Sequence, residues 1–266
     1  MRGLLFHIAA DTKNPGIVGP VFPEETFEFL PIKSEVSAGT YRYKDFPAKN
    51  TKYGKSLGDF LPSDIAEFYV HYDPDFNNFT YGQPVEEIPR FWVLKKLKEA
   101  DMIFFIASLA PYDAEVYKEK DIVLRNFQRG KKNKYVIGFF TIKGVALAKA
   151  SKSQLEITSL SGNVTGDIVK TSHHYKRFEY NNPDHFILIV GNSQRSAPLN
   201  RAVKLTEGFR DTSFELNELG RSILRNNSHR LRIAWIHDNA VKTLASSIVG
   251  TNPQLSDKLQ HILQTT

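Results

Sequence analysis

Ala100-Asp101-Met102-Ile103-Phe104-Phe105-Ile106-Ala107 is the stretch that decides the fold. Six apolar residues, rich in aromatic and β-branched side chains, follow an aspartate, and a run of that length reads as a buried strand. Tyr135-Val136-Ile137-Gly138-Phe139-Phe140-Thr141-Ile142 is a second run of the same kind, and the two are expected to pair. Working outward, Leu4 to Ile8 reads as a strand and Asp11 to Gly19 as a loop carrying two glycines and a proline. The alternation Thr26-Phe27-Glu28-Phe29 is bounded by Pro23 and Pro31, which predicts a hairpin or a pair of neighbouring strands over residues 1–32. Phe68 to Tyr72 and His185 to Val190 read as further strands.

Helical spacing is confined to fewer places. Phe91, Leu94 and Leu97 predict a helix over Arg90 to Glu99. Beyond Thr206 the texture changes: Leu216, Leu219, Ile223 and Leu224 suit one helix, Ala240, Leu244, Ala245 and Ile248 another, and Leu255, Leu259 and Ile262 a last one. Residues 33–63 show neither period. There Tyr41, Tyr43 and Tyr53 stand among Lys44, Lys49, Lys52 and Lys55, a mixture that suits base stacking and phosphate tracking as well as a loop packed on its own domain.

The chain of 266 residues contains no cysteine, which excludes disulfides, thiolate metal sites and cysteine nucleophiles. Gly3 to Ala10 is too short and interrupted for a signal-peptide core, and no apolar run reaches membrane-spanning length, so a cytoplasmic protein with no membrane partner is expected. A formal charge of +6 favours a polyanionic partner, because each cation placed on a phosphate releases counterions.

Three segments carry candidate chemistry. His71-Tyr72-Asp73-Pro74-Asp75 offers an imidazole and two carboxylates, suited to general acid–base work or to holding a hard divalent ion. Period two would aim His71, Asp73 and Asp75 at one face if the chain stayed extended through the proline. Thr171 to Arg177 gathers His173, His174, Tyr175, Lys176 and Arg177 ahead of a strand, a set that can bind phosphate or donate a proton. In Asp11 to Gly19 the glycines permit close backbone approach to a ligand, without the spacing of a P-loop or a dinucleotide fingerprint. Gln128 to Lys134 is the densest positive cluster, read either as a solvated connection or as a phosphate contact through Lys131, Lys132 and Lys134.

Taken in order, Leu4 to Asp11, Gly19-Pro20-Val21-Phe22-Pro23, Leu30-Pro31-Ile32 and His71-Tyr72-Asp73-Pro74-Asp75 form a pattern that resembles the third class of nucleotide-modification-associated domains. Leu97 to Phe105, Tyr135 to Val145 and the pair His173-His174 extend the likeness over most of residues 1–210, leaving 211–266 as a C-terminal helical segment packed on that domain. Ala10, Glu24-Glu25 and Ala100 depart from the pattern and mark a divergent branch. The strand order is also similar to PUA-like barrels of the ASCH and EVE kind. The resemblance implies an α+β fold with a mixed, PUA-like β-barrel and peripheral helices, and a pocket that accepts an extruded base.

The leading expectation is recognition or processing of modified bases in nucleic acid. Asp11, His71, Asp73, Asp75 and His173 are the acid–base candidates, and Lys131, Lys132, Lys134, His174, Tyr175, Lys176 and Arg177 the nucleic-acid contacts. A nucleotide- or nucleic-acid-acting hydrolase or group transferase using the His-x-Asp-Pro-Asp segment is the alternative, and an interaction subunit for a partner modification enzyme is the third reading.

Overall fold

The computed structural model describes residues 1–8, 17–35, 37, 40–85, 90–119, 124, 127–128, 131–150, 155–178, 184–210, 213–224 and 233–264. The strand that opens at Met102 runs to Pro111 and is buried along its length up to Ala110. It pairs antiparallel with Asn133–Ala150, Met102 opposite Thr141, as the two apolar runs predict. On its other side it pairs in parallel with Arg2–His7 and, further along, with Gly19–Val21.

That arrangement replaces the expected N-terminal hairpin. Arg2–His7 and Gly19–Val21 lie end to end along the same neighbour and do not pair with each other, because the free edge of Arg2–His7 is taken by Ile233–His237. The C-terminal quarter is therefore not simply helical: Thr206–Arg210 and Ser213–Leu216 form a small antiparallel pair, and Ile233–His237 completes the main sheet. The expected helices stand at Glu218–Ile223, Asp238–Thr251 and Ser256–Leu263, with Val241, Leu244, Ala245 and Ile248 buried against the sheet. The helix expected over Arg90 to Glu99 is only Arg90–Leu94.

Asn133–Ala150 is long enough to serve two neighbourhoods. Its first half pairs with Met102–Pro111 and Ala197–Lys204, its second with Asp184–Gly191 and Leu155–Gly162. Asp184–Gly191 in turn carries Thr80–Pro84 on its outer side. Among the described residues the strand path runs from Ile233–His237 to Thr80–Pro84 without closing. The fold is α+β around a large mixed sheet, and the described strands do not form the barrel expected from the PUA-like resemblance. No helix among the described residues is long and apolar enough to cross a membrane.

Three apolar clusters meet around the segment of interest. The largest covers both faces of the sheet and includes Phe76, Phe105 and Phe140. The second is built by the tyrosine-rich loop, with Tyr43, Leu57, Phe60 and Val70 at its centre. The third lies under Gly166–Thr171 and includes Val169 and Phe186. Residues 40–63 form a loop with two short 3-10 turns, Tyr43–Asp45 and Leu57–Phe60, and much of its aromatic content is internal packing. Tyr43 is fully buried and Tyr53 stacks on Phe22 with ring centroids 4.0 Å apart.

Candidate functional site

Strand Tyr69–His71 pairs antiparallel with Ile32–Ser34, placing His71 opposite Ile32 of the Leu30-Pro31-Ile32 segment. The strand ends there, so extended alternation does not carry through to Asp75. Instead Asp75 opens a tight loop: it exchanges backbone hydrogen bonds with Thr80 at 2.8 and 3.1 Å. Its side chain closes the loop from inside, Oδ1 accepting the N–H groups of Asn77 and Asn78 at 2.8 and 3.1 Å and Oδ2 accepting from Asn78 Nδ2 at 2.7 Å. This is the short-range capping for which aspartate is favoured in turns. Asp73 faces the start of the next strand, its carboxylate accepting the Gly82 N–H at 3.2 Å.

His173 reaches the same place from a hundred residues away. Ser172 separates two short helices, Gly166–Thr171 and His173–Phe178, and its Oγ accepts the Tyr175 N–H at 3.2 Å, an N-cap that starts the second helix at His173. The histidine pair therefore stands on a helix, ahead of the strand Asp184–Gly191. That helix packs near Thr80–Pro84 and brings His173 Nε2 to 3.7 Å from Asp75 Oδ2. His71 Nε2 lies 3.9 Å from Asp73 Oδ2, and the two imidazole centroids are 6.4 Å apart. Both carboxylates are almost completely buried, and both imidazoles keep a small accessible area.

Two imidazole–carboxylate pairs side by side form an acid–base arrangement: a carboxylate orients an imidazole and stabilises its protonated form, while the ring can give or take a proton at a reacting atom. Separations of 3.7 and 3.9 Å are longer than hydrogen bonds. Tyr72 lies between these pairs and the tyrosine-rich loop, 6.1 Å from the His173 ring and stacked on Phe46 at 5.4 Å. Burial, helped by the negative charges of Asp75 and Glu28, pushes its phenol up to about 12, so Tyr72 is a hydrogen-bond donor and not a base at neutral pH. Asp11 lies outside the described residues. Among the described ones no group of three or more His, Asp or Glu side chains that could hold a metal ion is found.

The basic candidates separate. Lys131 is exposed, with its ammonium 4.0 Å above the Phe127 ring, and Lys132 is half-buried. Lys134 points inward: it is 3% exposed, and its Nζ lies 2.6 Å from His7 Nε2 and donates to Ser108 Oγ at 2.7 Å. An ammonium inside the protein needs such partners, and these come from two neighbouring strands, Arg2–His7 and Met102–Pro111. Lys176 and Tyr175 are half-buried on the His173 helix; the side chains of His174 and Arg177 lie outside the described set.

The residues that sequence reasoning passed over are on the far side of Tyr72. Phe27, Phe29, Phe46, Tyr72 and Phe76 line a cleft of about 130 Å³ together with Glu28 and Lys49. Their signals were present separately, as an acid within an alternating aromatic stretch and as aromatic residues among lysines, but nothing local placed them together.

Residues 2–248 match the family model for nucleotide modification associated domain 3. The chain belongs to that family. The match takes in the His71–Asp75 and His173 segments and continues through Ile233–His237 and most of the helix from Asp238. No curated protein and no solved structure matches the chain. Membership of this family assigns the protein a role in a nucleic acid modification system.

Proposed function

We propose that this family member recognises or processes modified bases in nucleic acid, with the base held in the neighbourhood of the His71–Asp73 and His173–Asp75 pairs. The observation that carries the reading is the convergence of these four side chains from two segments about a hundred residues apart, at the junction of three apolar clusters. Holding two imidazoles and two carboxylates this close and this deeply buried is costly for folding alone, which favours a role in proton transfer or polar recognition.

The basic side chains fit the accompanying backbone contact. Lys131 is exposed and Lys132 and Lys176 are half-buried, and in this reading they contact phosphates, which positions the strand without reading its sequence. Lys134, held inside by His7 and Ser108, leaves that role to them.

A second reading makes the same cluster the active site of a nucleotide- or nucleic-acid-acting hydrolase or group transferase. The pairing of each imidazole with its own carboxylate favours it, since that pairing serves proton transfer more directly than it serves binding. Incubation with plain and base-modified DNA and RNA oligonucleotides at two salt concentrations, with mass spectrometry of the products, tests both. Salt-dependent binding selective for a modified base with unchanged mass supports recognition, a mass change or strand cleavage supports the enzyme, and no binding to any oligonucleotide overturns both.

A further inference from the structure

Resting on that reading, we propose that the cleft on the far side of Tyr72 is the seat of the base itself: a flat heteroaromatic ring stacked against Phe46, with its hydrogen-bonding edge at the Glu28 carboxyl.

The cleft's size sets the class of occupant. At about 130 Å³ it falls well below the roughly 300–1,000 Å³ of sites that enclose a drug-sized ligand, so it admits one small planar group and leaves a sugar and phosphate outside. Its lining sets the chemistry. Phe27, Phe29, Phe46, Tyr72 and Phe76 present aromatic carbon, the surface on which nucleobases stack whatever their sequence, while Phe46 and Tyr72 keep part of their surface accessible at the mouth. Lys49 stands at that mouth, its ammonium donating to the Leu199 carbonyl at 2.8 Å and lying 5.5 Å from the Phe27 ring centroid.

Glu28 is the polar group within. It is 3% exposed, and its Oε1 accepts from both the backbone N–H and the side-chain amide of Asn50. Desolvation lifts this carboxyl above its ordinary range, outweighing the lowering effect of the Asn50 and Lys49 backbone groups and of the Asn50 amide. The ionised carboxylate accepts from a ring N–H or an exocyclic amine, and the protonated form adds one O–H donor for a ring nitrogen or an exocyclic carbonyl oxygen. Nucleobases combine such an edge with a flat stacking face; aliphatic ligands and inorganic anions lack that face. The location completes the case. Tyr72 is shared, with Phe46 on one side and His173 on the other, so a base in the cleft is one side chain from the acid–base pairs.

The test is ligand-observed saturation-transfer NMR of the full chain with the ordinary ribo- and deoxyribonucleosides and with N6-methyladenosine, 5-methylcytidine and 5-hydroxymethylcytidine. The cleft predicts, for at least one of them, stronger saturation of base protons than of sugar protons. It also predicts an affinity weakened about 5- to 150-fold by Phe46→Ala, the range seen when a stacking aromatic is truncated. Phe46→Leu, which keeps the apolar volume and loses the flat face, guards against loss of folding. No base-proton saturation from any nucleoside, or unchanged affinity in both variants, overturns the assignment. The outcomes separate from those above: oligonucleotide binding that survives both Phe46 substitutions removes the cleft and leaves the functional reading, whereas nucleosides held at Phe46 with no oligonucleotide binding keeps the cleft and removes the nucleic-acid reading.

Discussion

Replacing Asp75 separates what its carboxylate does for folding from what it does beside His173. The residue is 2% exposed; Oδ1 takes two backbone N–H groups, while Oδ2 takes the Asn78 amide and lies 3.7 Å from His173 Nε2. Asp75→Ala removes all three hydrogen bonds from a buried carboxylate and returns the donors of Asn77 and Asn78, both exposed residues, to water. Bonds to a charged acceptor are worth about 1.5–3 kcal/mol each but do not add within one loop, so a loss of about 3–5 kcal/mol is expected for the three together. Asp75→Asn keeps an Oδ1 for both backbone donors and turns Oδ2 into an amide facing another amide, losing one charge-assisted bond, or about 1.5–3 kcal/mol. At about 2–4 °C per kcal/mol for a chain near this size, Tm should fall by about 3–12 °C in the Asn variant and about 6–20 °C in the Ala variant. Urea denaturation followed by circular dichroism, with thermal melts alongside, reads both. The Asn protein should remain folded at 25 °C and retain oligonucleotide binding while losing any product formation that depends on His173. Equal stability of the two variants, or an Ala variant within about 0.5 kcal/mol of the parent, would refute the assignment of this carboxylate as the clasp of the loop.

A methyl group on Gly138 would lie 2.3 Å from the Phe76 ring, which is boxed by Phe105 and Phe140. Gly138→Ala should therefore lower the urea midpoint, since overpacking costs about 1–3 kcal/mol against a gain of about 0.4–1 kcal/mol from the stiffer unfolded chain; an unchanged or raised midpoint would mean the ring has room. Because burial raises the folded-state pKa of Glu28, at pH between the unfolded and the folded values the folded protein holds a proton there that the unfolded chain has released. Its contribution is fully present below the unfolded carboxylate range and is lost as pH rises through the raised value, so Glu28→Gln should flatten the decline of stability across that window, measured by denaturation from pH 4 to 7. Alanine at Lys131, Lys132 and Lys176 should each weaken oligonucleotide binding on every sequence alike and make the slope of log K against log salt shallower by about 0.9 where a phosphate on duplex DNA is contacted; an unchanged slope would remove that lysine from the interface.

Much of this was legible before folding was considered. The Met102–Ala107 and Tyr135–Ile142 runs pair as their composition demands, because continuous apolar β-formers have few other ways to be buried. The three C-terminal helices follow their spacing. The N-terminal hairpin failed because turn-rich residues between two strands do not say whether those strands pair with each other or with a common neighbour, and here both lie along Met102–Pro111. Strand Ile233–His237 was hidden inside a stretch dominated by helical residues, since five residues of Ile-Ala-Trp-Ile-His carry too little pattern to compete. His173 was picked out by type alone; the Ser172 cap that sets it on a helix was a readable signal.

By itself, then, the sequence determined the central strand pair, the C-terminal helices, the freedom from cysteine chemistry, and the His71–Asp75 segment that carries the family resemblance. These are properties of composition and of periods a few residues long, which act within one element. Only the tertiary structure decided that His173 meets Asp75, that Lys134 turns inward to His7 and Ser108 while Lys131 stays outside, and that Glu28, Phe46 and Tyr72 enclose one cleft. Each of those meetings joins residues far apart in the chain. Strand order and the joint burial of three apolar clusters bring them together, and no local pattern encodes that outcome.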